Sequence, residues 1–386
     1  MRRFGVLLLV ALSFLALGAA APPPRQVLYD AGSSYPRIIR LTYSGSANGT
    51  ILASMTTIQN NNGIGIIESS TDGGKTFKQI ATIADPLAAN GGQICCSTLY
   101  ELPSAVGNMP AGTVLWADTA GYGAPSGSRH VQERLWASSD HGTTWRYVST
   151  FATAPNPYNT WEPSLSVAAD GELVAFYSDE TDKTQHDQKL VQVRTADGVN
   201  WDDYKDTVAS GDWYVRPGMA NVIRLPDGMY FMTYEVCNND LVHLCSTYFR
   251  ESIDGWDYGD PTNLGAVVRT ADGKYARHTP YVAWSPGPGP NGTILLVSEM
   301  VVNSDGSIAP ENGKTLLAND NLGSGNWYEI PAPIQIDGVN NTGCKNFSSS
   351  LLPSADGRSV TEVATDLDGT VCKAYVASGP LQEPQP

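Results

Sequence analysis

The sequence predicts an all-β fold, a six-bladed β-propeller with four-stranded antiparallel blades, and two repeats predict it. In the first, an apolar run, a turn centred on glycine and a second apolar run recur six times, five times with an acidic residue just past the second run. The turn glycines Gly49, Gly112, Gly171, Gly228, Gly292 and Gly357 stand 63, 59, 57, 64 and 65 residues apart. That period holds about four short strands with their turns, which suits a propeller blade better than a solenoid repeat. The second repeat, out of phase with the first, has the pattern S-x-D-x-G-x-T-aromatic at residues 70–77 and 138–145.

Taken in order, the hairpins fall at residues 42–55, 102–118, 166–179, 223–235, 283–299 and 351–366. Each places Asn-Gly, Ala-Gly or Asp-Gly between β-rich runs, and glycine takes the positive φ that one turn position needs. These are the inner hairpins of six sheets. The second repeat resembles the Asp-box of sialidase-like propellers. A copy one residue short runs from Thr195 to Trp201, a degenerate one from Ser252 to Trp256, and a fifth from Asn319 to Trp327. Its chemistry is structural: the aspartate accepts from turn amides and the aromatic packs between sheets.

Residues 1–21 read as a secretory signal peptide: Arg2 and Arg3, the apolar stretch Val6 to Leu17, then small residues. The apolar run is too short to span a bilayer. Residues 22–386 then form a single catalytic domain, a secreted, extracellular propeller expected to be monomeric. Charged residues make up only 16% of the chain and the net charge is −15, which disfavours nucleic acid and anionic membranes as partners. Six cysteines in a secreted chain suggest disulfides. Cys237 with Cys245 clips one hairpin, Cys344 with Cys372 ties the last blade, and the adjacent Cys95 and Cys96 are not expected to bond each other. Four sequons, at Asn48, Asn291, Asn340 and Asn346, fit a glycoprotein.

Topology nominates the site. If the glycine turns and Asp-boxes share one face of the disc, the starts of the first strands and the ends of the second strands share the other. The starts bring Tyr35-Pro36-Arg37, Trp161-Glu162-Pro163, Val215-Arg216-Pro217 and Arg277-His278-Thr279-Pro280; the ends bring Asp118, Asp179, Glu235, Glu299 and Asp366. Carboxylates, arginines and aromatics converging on one axis suit glycoside hydrolysis, which needs a proton donor and a nucleophile or base. Tyr35, Trp161, Tyr177, Tyr214 and Tyr281 are placed to stack on sugars. The five histidines have no metal-site spacing, and no G-x-S-x-G elbow is present, so no metal or cofactor is expected beyond room for a structural Ca²⁺.

At the third and fourth units the wording becomes specific. The segments 159–165 (NTWEPSL), 176–181 (FYSDET), 216–219 (RPGM) and 232–237 (MTYEVC), with 35–41 (YPRIIRL) and 351–354 (LLPS), resemble the fungal exo-arabinanases of glycoside hydrolase family 93. The resemblance implies hydrolysis of α-1,5-L-arabinan, a plant cell-wall polysaccharide, from its non-reducing end, with release of arabinobiose and retention of configuration. It implies two catalytic glutamates, Glu162 as nucleophile and Glu235 as acid/base, an order the motifs leave open to exchange. Tyr35, Arg37, Trp161, Tyr177, Asp179, Arg216, His278 and Tyr281 are the expected substrate-binding residues. The family's auxiliary tyrosine has Tyr281 and Tyr328 as candidates. Two alternatives stand beside this reading: a sialidase, which needs three arginines on the substrate carboxylate, and a glycan-binding propeller without catalysis.

Overall fold

The computed structural model describes residues 24–287 and 289–381; the expected signal peptide lies outside them. Six antiparallel sheets follow one another along the chain. Their innermost strands are Ser34–Arg40, Ile94–Glu101, Thr160–Val167, Arg216–Arg224, Tyr281–Ser285 and Ser350–Pro353. Each turns back through its predicted glycine, and all six glycines have a positive φ, between 69° and 93°.

Blades one, two, three and five are four-stranded and regular. In blade four the outer strand shrinks to Ala266–Val267, and two short segments, Tyr275–Arg277 and Met300–Val302, extend the sheet towards blade five. The second strand of this blade, Tyr230–Asp240, is unusually long, so Glu235 lies within it rather than at its end. Blade six takes its outermost strand from the other end of the chain: Gln26–Tyr29 pairs with Val371–Pro380, Gln26 facing Val376.

Because both faces of a blade are covered by its neighbours, the apolar residues sort into a cluster at each interface, with a seventh, around Met300, Ile336 and Tyr375, under the connection between blades five and six. Leu52, Ile67, Leu99 and Trp116 join blades one and two; Leu115, Leu135, Leu165 and Tyr177 join two and three; Phe176, Leu190, Met232 and Tyr234 join three and four. Phe231, Leu296 and Trp327 follow between four and five, Leu295, Leu316 and Leu351 between five and six, and Ile38, Ile51, Val363 and Val376 close the ring. The Asp-box aromatics Phe77, Trp145, Trp201, Trp256 and Trp327 all enter these clusters. Asp140 shows the role of the acid: Oδ1 accepts from Thr144 N at 2.8 Å and Ser138 Oγ at 2.8 Å.

All six cysteines are bonded, and one pairing corrects the sequence expectation. Cys237–Cys245 and Cys344–Cys372 form as anticipated, while Cys95 and Cys96 bond each other. The adjacent pair sits at a break in strand register where Cys96 has φ 63°, a backbone departure that the sequence does not announce. Of the sequon asparagines, Asn346 is 6% exposed and its amide donates to the carbonyls of Ser298 and Glu299, so it is not a glycan acceptor in the folded chain.

Candidate active site

A single backbone device builds the pocket face. At the start of the innermost strand the pairing slips between Ser34 and Arg37, Cys95 and Thr98, Trp161 and Ser164, and Gly218 and Asn221. Each slip contains a non-glycine residue of positive φ: Tyr35 at 51°, Cys96 at 63°, Glu162 at 57° and Met219 at 58°. Thr279 at 45° and Ser348 at 54° stand just ahead of the innermost strands of blades five and six. Such bulges break the period of two and re-aim a side chain, here towards the propeller axis. Arg37, Thr98, Glu162, Met219, Asn221 and Tyr281, from five blades, line one small axial cavity of about 20 Å³.

Glu162 and Glu235 come from neighbouring blades and interact. Glu162 Oε2 accepts from Ser178 Oγ at 2.8 Å. Burial, then the Glu235 carboxylate, push the Glu162 carboxyl up to about 8. Glu235 is 7% exposed, and its Oε2 accepts from the Thr279 amide at 2.8 Å and lies 4.0 Å from His278 Nε2. His278 Nδ1 is 2.7 Å from Oε2 of the fully buried Glu299. Burial alone would lower the His278 imidazole, but the Glu235 and Glu299 carboxylates outweigh it and hold it at about 9. One glutamate therefore has a hydroxyl and a like charge as neighbours, the other a backbone amide and an imidazolium.

Four of the expected substrate-binding residues surround this pair. Burial, followed by the Glu162 carboxylate, pushes the Tyr35 phenol well above its usual value. Arg37 donates to Ser348 O at 2.7 Å and Ser348 Oγ at 2.9 Å, and its guanidinium lies 5.9 Å from the Tyr35 ring and 5.5 Å from the Tyr281 ring. His278 completes the set. Trp161 lies at the rim against Tyr122, ring centres 5.2 Å apart.

Three expectations change. Strand alternation puts Tyr177 and Asp179 on the face opposite Ser178, the residue that touches Glu162. Tyr177 is 4% exposed in the cluster between blades two and three, and Asp179 accepts from Thr181 N at 2.7 Å and Tyr204 Oη at 2.9 Å. Neither lines the pocket. Arg216 does not reach the glutamate pair: it is held at the rim by Asp187, by Glu180 at 2.5 Å and by Gln188 Oε1 at 2.6 Å. For the auxiliary tyrosine, Tyr281 lines the axial cavity, whereas Tyr328 bonds Asp320 at 2.9 Å in the outer strand of blade five.

Sequence reasoning missed the residues that hold the pocket: Ser178 on Glu162, the Thr279 amide on Glu235, and Ser348, which takes Arg37 on its carbonyl and hydroxyl. Alternation would have found Ser178, but the positive-φ turns that place Thr279 and Ser348 leave no signature in the sequence. The larger axial cavity, about 670 Å³, opens on the opposite side and is lined by residues such as Arg40, Tyr43, Glu101, Arg224 and Trp284, with neither catalytic candidate. Among the described residues, the one close group of potential metal donors is Glu235, Cys237 and Cys245, and its two sulfurs are bonded to each other.

Fold and site together define a six-bladed propeller of the glycoside hydrolase type, with two electrostatically coupled glutamates from neighbouring blades. In particular, the chain is similar to glycoside hydrolase family 93. An α-L-arabinanase of Penicillium chrysogenum, solved with arabinobiose, matches at 27% identity and TM-score 0.76 over 94% of this chain and 99% of that one. The family 93 α-L-arabinofuranosidase of Fusarium graminearum, also with arabinobiose, matches at 27% and 0.73 over 90% and 93%. The NanB sialidase of Streptococcus pneumoniae, at 10% identity and TM-score 0.59, shares the fold alone. No protein-family model and no curated protein matches the chain.

Proposed function

We propose that the protein is a secreted, retaining exo-glycosidase that cleaves α-1,5-L-arabinan from the non-reducing end and releases arabinobiose. The observation that carries the reading is the unequal environment of two coupled glutamates in a fold similar to an arabinanase and an arabinofuranosidase solved with arabinobiose. Near-neutral pH leaves Glu162 largely protonated, which makes it the general acid. Glu235, beside an amide donor and an imidazolium, is the nucleophile. This exchanges the roles expected from sequence, for the physical reason that the positive partners gather on Glu235.

In the first step a Glu235 oxygen bonds the anomeric carbon as the glycosidic C–O bond breaks, and Glu162 gives its proton to the departing oxygen. In the second, the Glu162 carboxylate takes a proton from water, whose oxygen displaces Glu235 from the anomeric carbon. Two inversions give retention. The arginines argue against a sialidase: Arg37 is committed to Ser348, and Arg216 to Glu180 and Asp187.

Incubation with debranched linear α-1,5-arabinan, followed by chromatography of the early products, tests the reading. Arabinobiose as the sole early product is the expected result. A ladder of oligomers would mean endo-cleavage, and no product would favour glycan binding without catalysis.

A further inference from the structure

On the pocket face, the connection into blade three carries Tyr158 and the connection into blade four carries Trp213 and Tyr214; they are 48%, 38% and 68% exposed. Single exposed aromatics are ordinary, but large ones gathered in a contiguous row mark a surface that contacts a ligand. These are joined to one another. Trp213 and Tyr214 meet edge to face with ring centres 5.0 Å apart, and Trp213 Nε1 donates to Lys183 O at 2.8 Å. Lys183 Nζ lies 5.4 Å from the Tyr158 ring. Asn238, on the long hairpin that carries Glu235, donates to Tyr214 O at 3.0 Å and holds that ring's backbone against blade four.

The row is also continuous with the glutamate pair. Lys183 bonds Asp187, Asp187 bonds Arg216, and Arg216 bonds Glu180, whose carboxylate raises the Glu162 carboxyl through space. Tyr158 stands four residues ahead of Glu162 on the same connection. The aromatic row thus borders the sector of the rim between the two blades that supply Glu162 and Glu235.

We infer that Tyr158, Trp213 and Tyr214 form an aromatic track that binds the leaving-group side of a neutral polysaccharide chain outside the catalytic pocket. The inference rests on the proposed hydrolase reading. An exo-enzyme that releases a disaccharide holds the glycon in its pocket, so the part of the polymer that runs out over the rim is the leaving-group side, and the track borders that rim between blades three and four. Ring faces stack on the apolar faces of sugars, while the fixed ion pairs beneath keep the rings in place. The network beside the rings is locally neutral, Lys183 and Arg216 against Asp187 and Glu180, and the net charge of −15 disfavours an anionic polymer. A neutral arabinose chain is the occupant these features suit.

The test compares a long substrate with a short one. Tyr158→Ala and the double variant Trp213→Ala/Tyr214→Ala are assayed on linear arabinan and on an aryl arabinobioside, whose leaving group is one ring in place of a polymer. The expected result is a loss of about 10-fold in kcat/KM on the polymer for the double variant, the effect of losing about 1.4 kcal/mol of contact, with the aryl substrate unaffected. Equal losses on both substrates, or no loss on the polymer, overturn the inference. Affinity electrophoresis through an arabinan-containing gel, in a Glu235→Gln background, gives a readout independent of turnover. Retardation lost in the variants supports the track and unchanged retardation overturns it, whereas a wild-type enzyme inert on both substrates refutes the functional reading instead.

Discussion

Glu162 occupies a left-handed backbone conformation, which costs a non-glycine residue about 1–2 kcal/mol, and the return is an orientation towards the axis that a regular strand would not give. The cost is repeated at Tyr35, Cys96 and Met219, so the strain belongs to the pocket and not to one side chain. With Glu162 as the acid and its carboxyl at about 8, kcat/KM falls as pH rises through that value. His278 lowers the Glu162 carboxyl by through-space attraction, so His278→Asn should move this alkaline limb upward. A pH–rate profile on an aryl arabinobioside checks it; a limb that stays put or moves down would sink the assignment of His278. Replacing Glu162 by Gln should cost about 10²–10⁴-fold on arabinan, the usual range for losing a general acid.

At the level of the element, the hairpin and the Asp-box divide the labour between the two faces. Asp140→Ala removes acceptors from Thr144 N, Thr144 Oγ1 and Ser138 Oγ and should cost about 1–2 kcal/mol, with kcat/KM unchanged. Denaturant unfolding beside a standard activity assay measures both, and a loss of activity without a loss of stability would give the motif a role this fold does not. Turns, Asp-boxes and blade count were readable because each needs particular residues at particular offsets. The bulges were not, since Tyr35, Cys96, Glu162 and Met219 share nothing as residue types, and tertiary packing alone holds their φ positive. That is also why the Cys95–Cys96 bond escaped the sequence. The misplacement of Tyr177 has a simpler cause: counting along Tyr177-Ser178-Asp179 assigns every second residue to the opposite blade interface. The short outer strand Gln26–Tyr29 was illegible because its partner, Val371–Pro380, lies at the far end of the chain.

Across the whole molecule, buried acids set the response to pH. Burial raises Glu68 to about 7 and Glu133, Glu162 and Glu362 to about 8, from 4.5. Between about 4.5 and 8 the folded chain therefore holds more protons than the unfolded one, and stability falls as pH rises. His278, held at about 9 against 6.5, acts in the same sense: its contribution is complete below 6.5 and is lost as pH rises through 9. Asp140, Asp187 and Asp254 are shifted down, because hydrogen bonds and neighbouring cations outweigh their burial; their contribution is lost in acid. Maximum stability is expected in mildly acidic solution, and the Tm at pH 8.5 should lie about 5 °C or more below that at pH 5. Thermal melts across the range test this, and a Tm that rises with pH would contradict it. The strand that completes blade six has a further consequence in time. During synthesis Gln26–Tyr29 emerges ahead of the other described strands and must wait, unpaired, for Val371–Pro380 to follow, so five blades can assemble in succession while the ring stays open. The last seam to form is a sequence-distant one, and until it does, the apolar surfaces of blades one and six face water and the nascent chain is most exposed to aggregation.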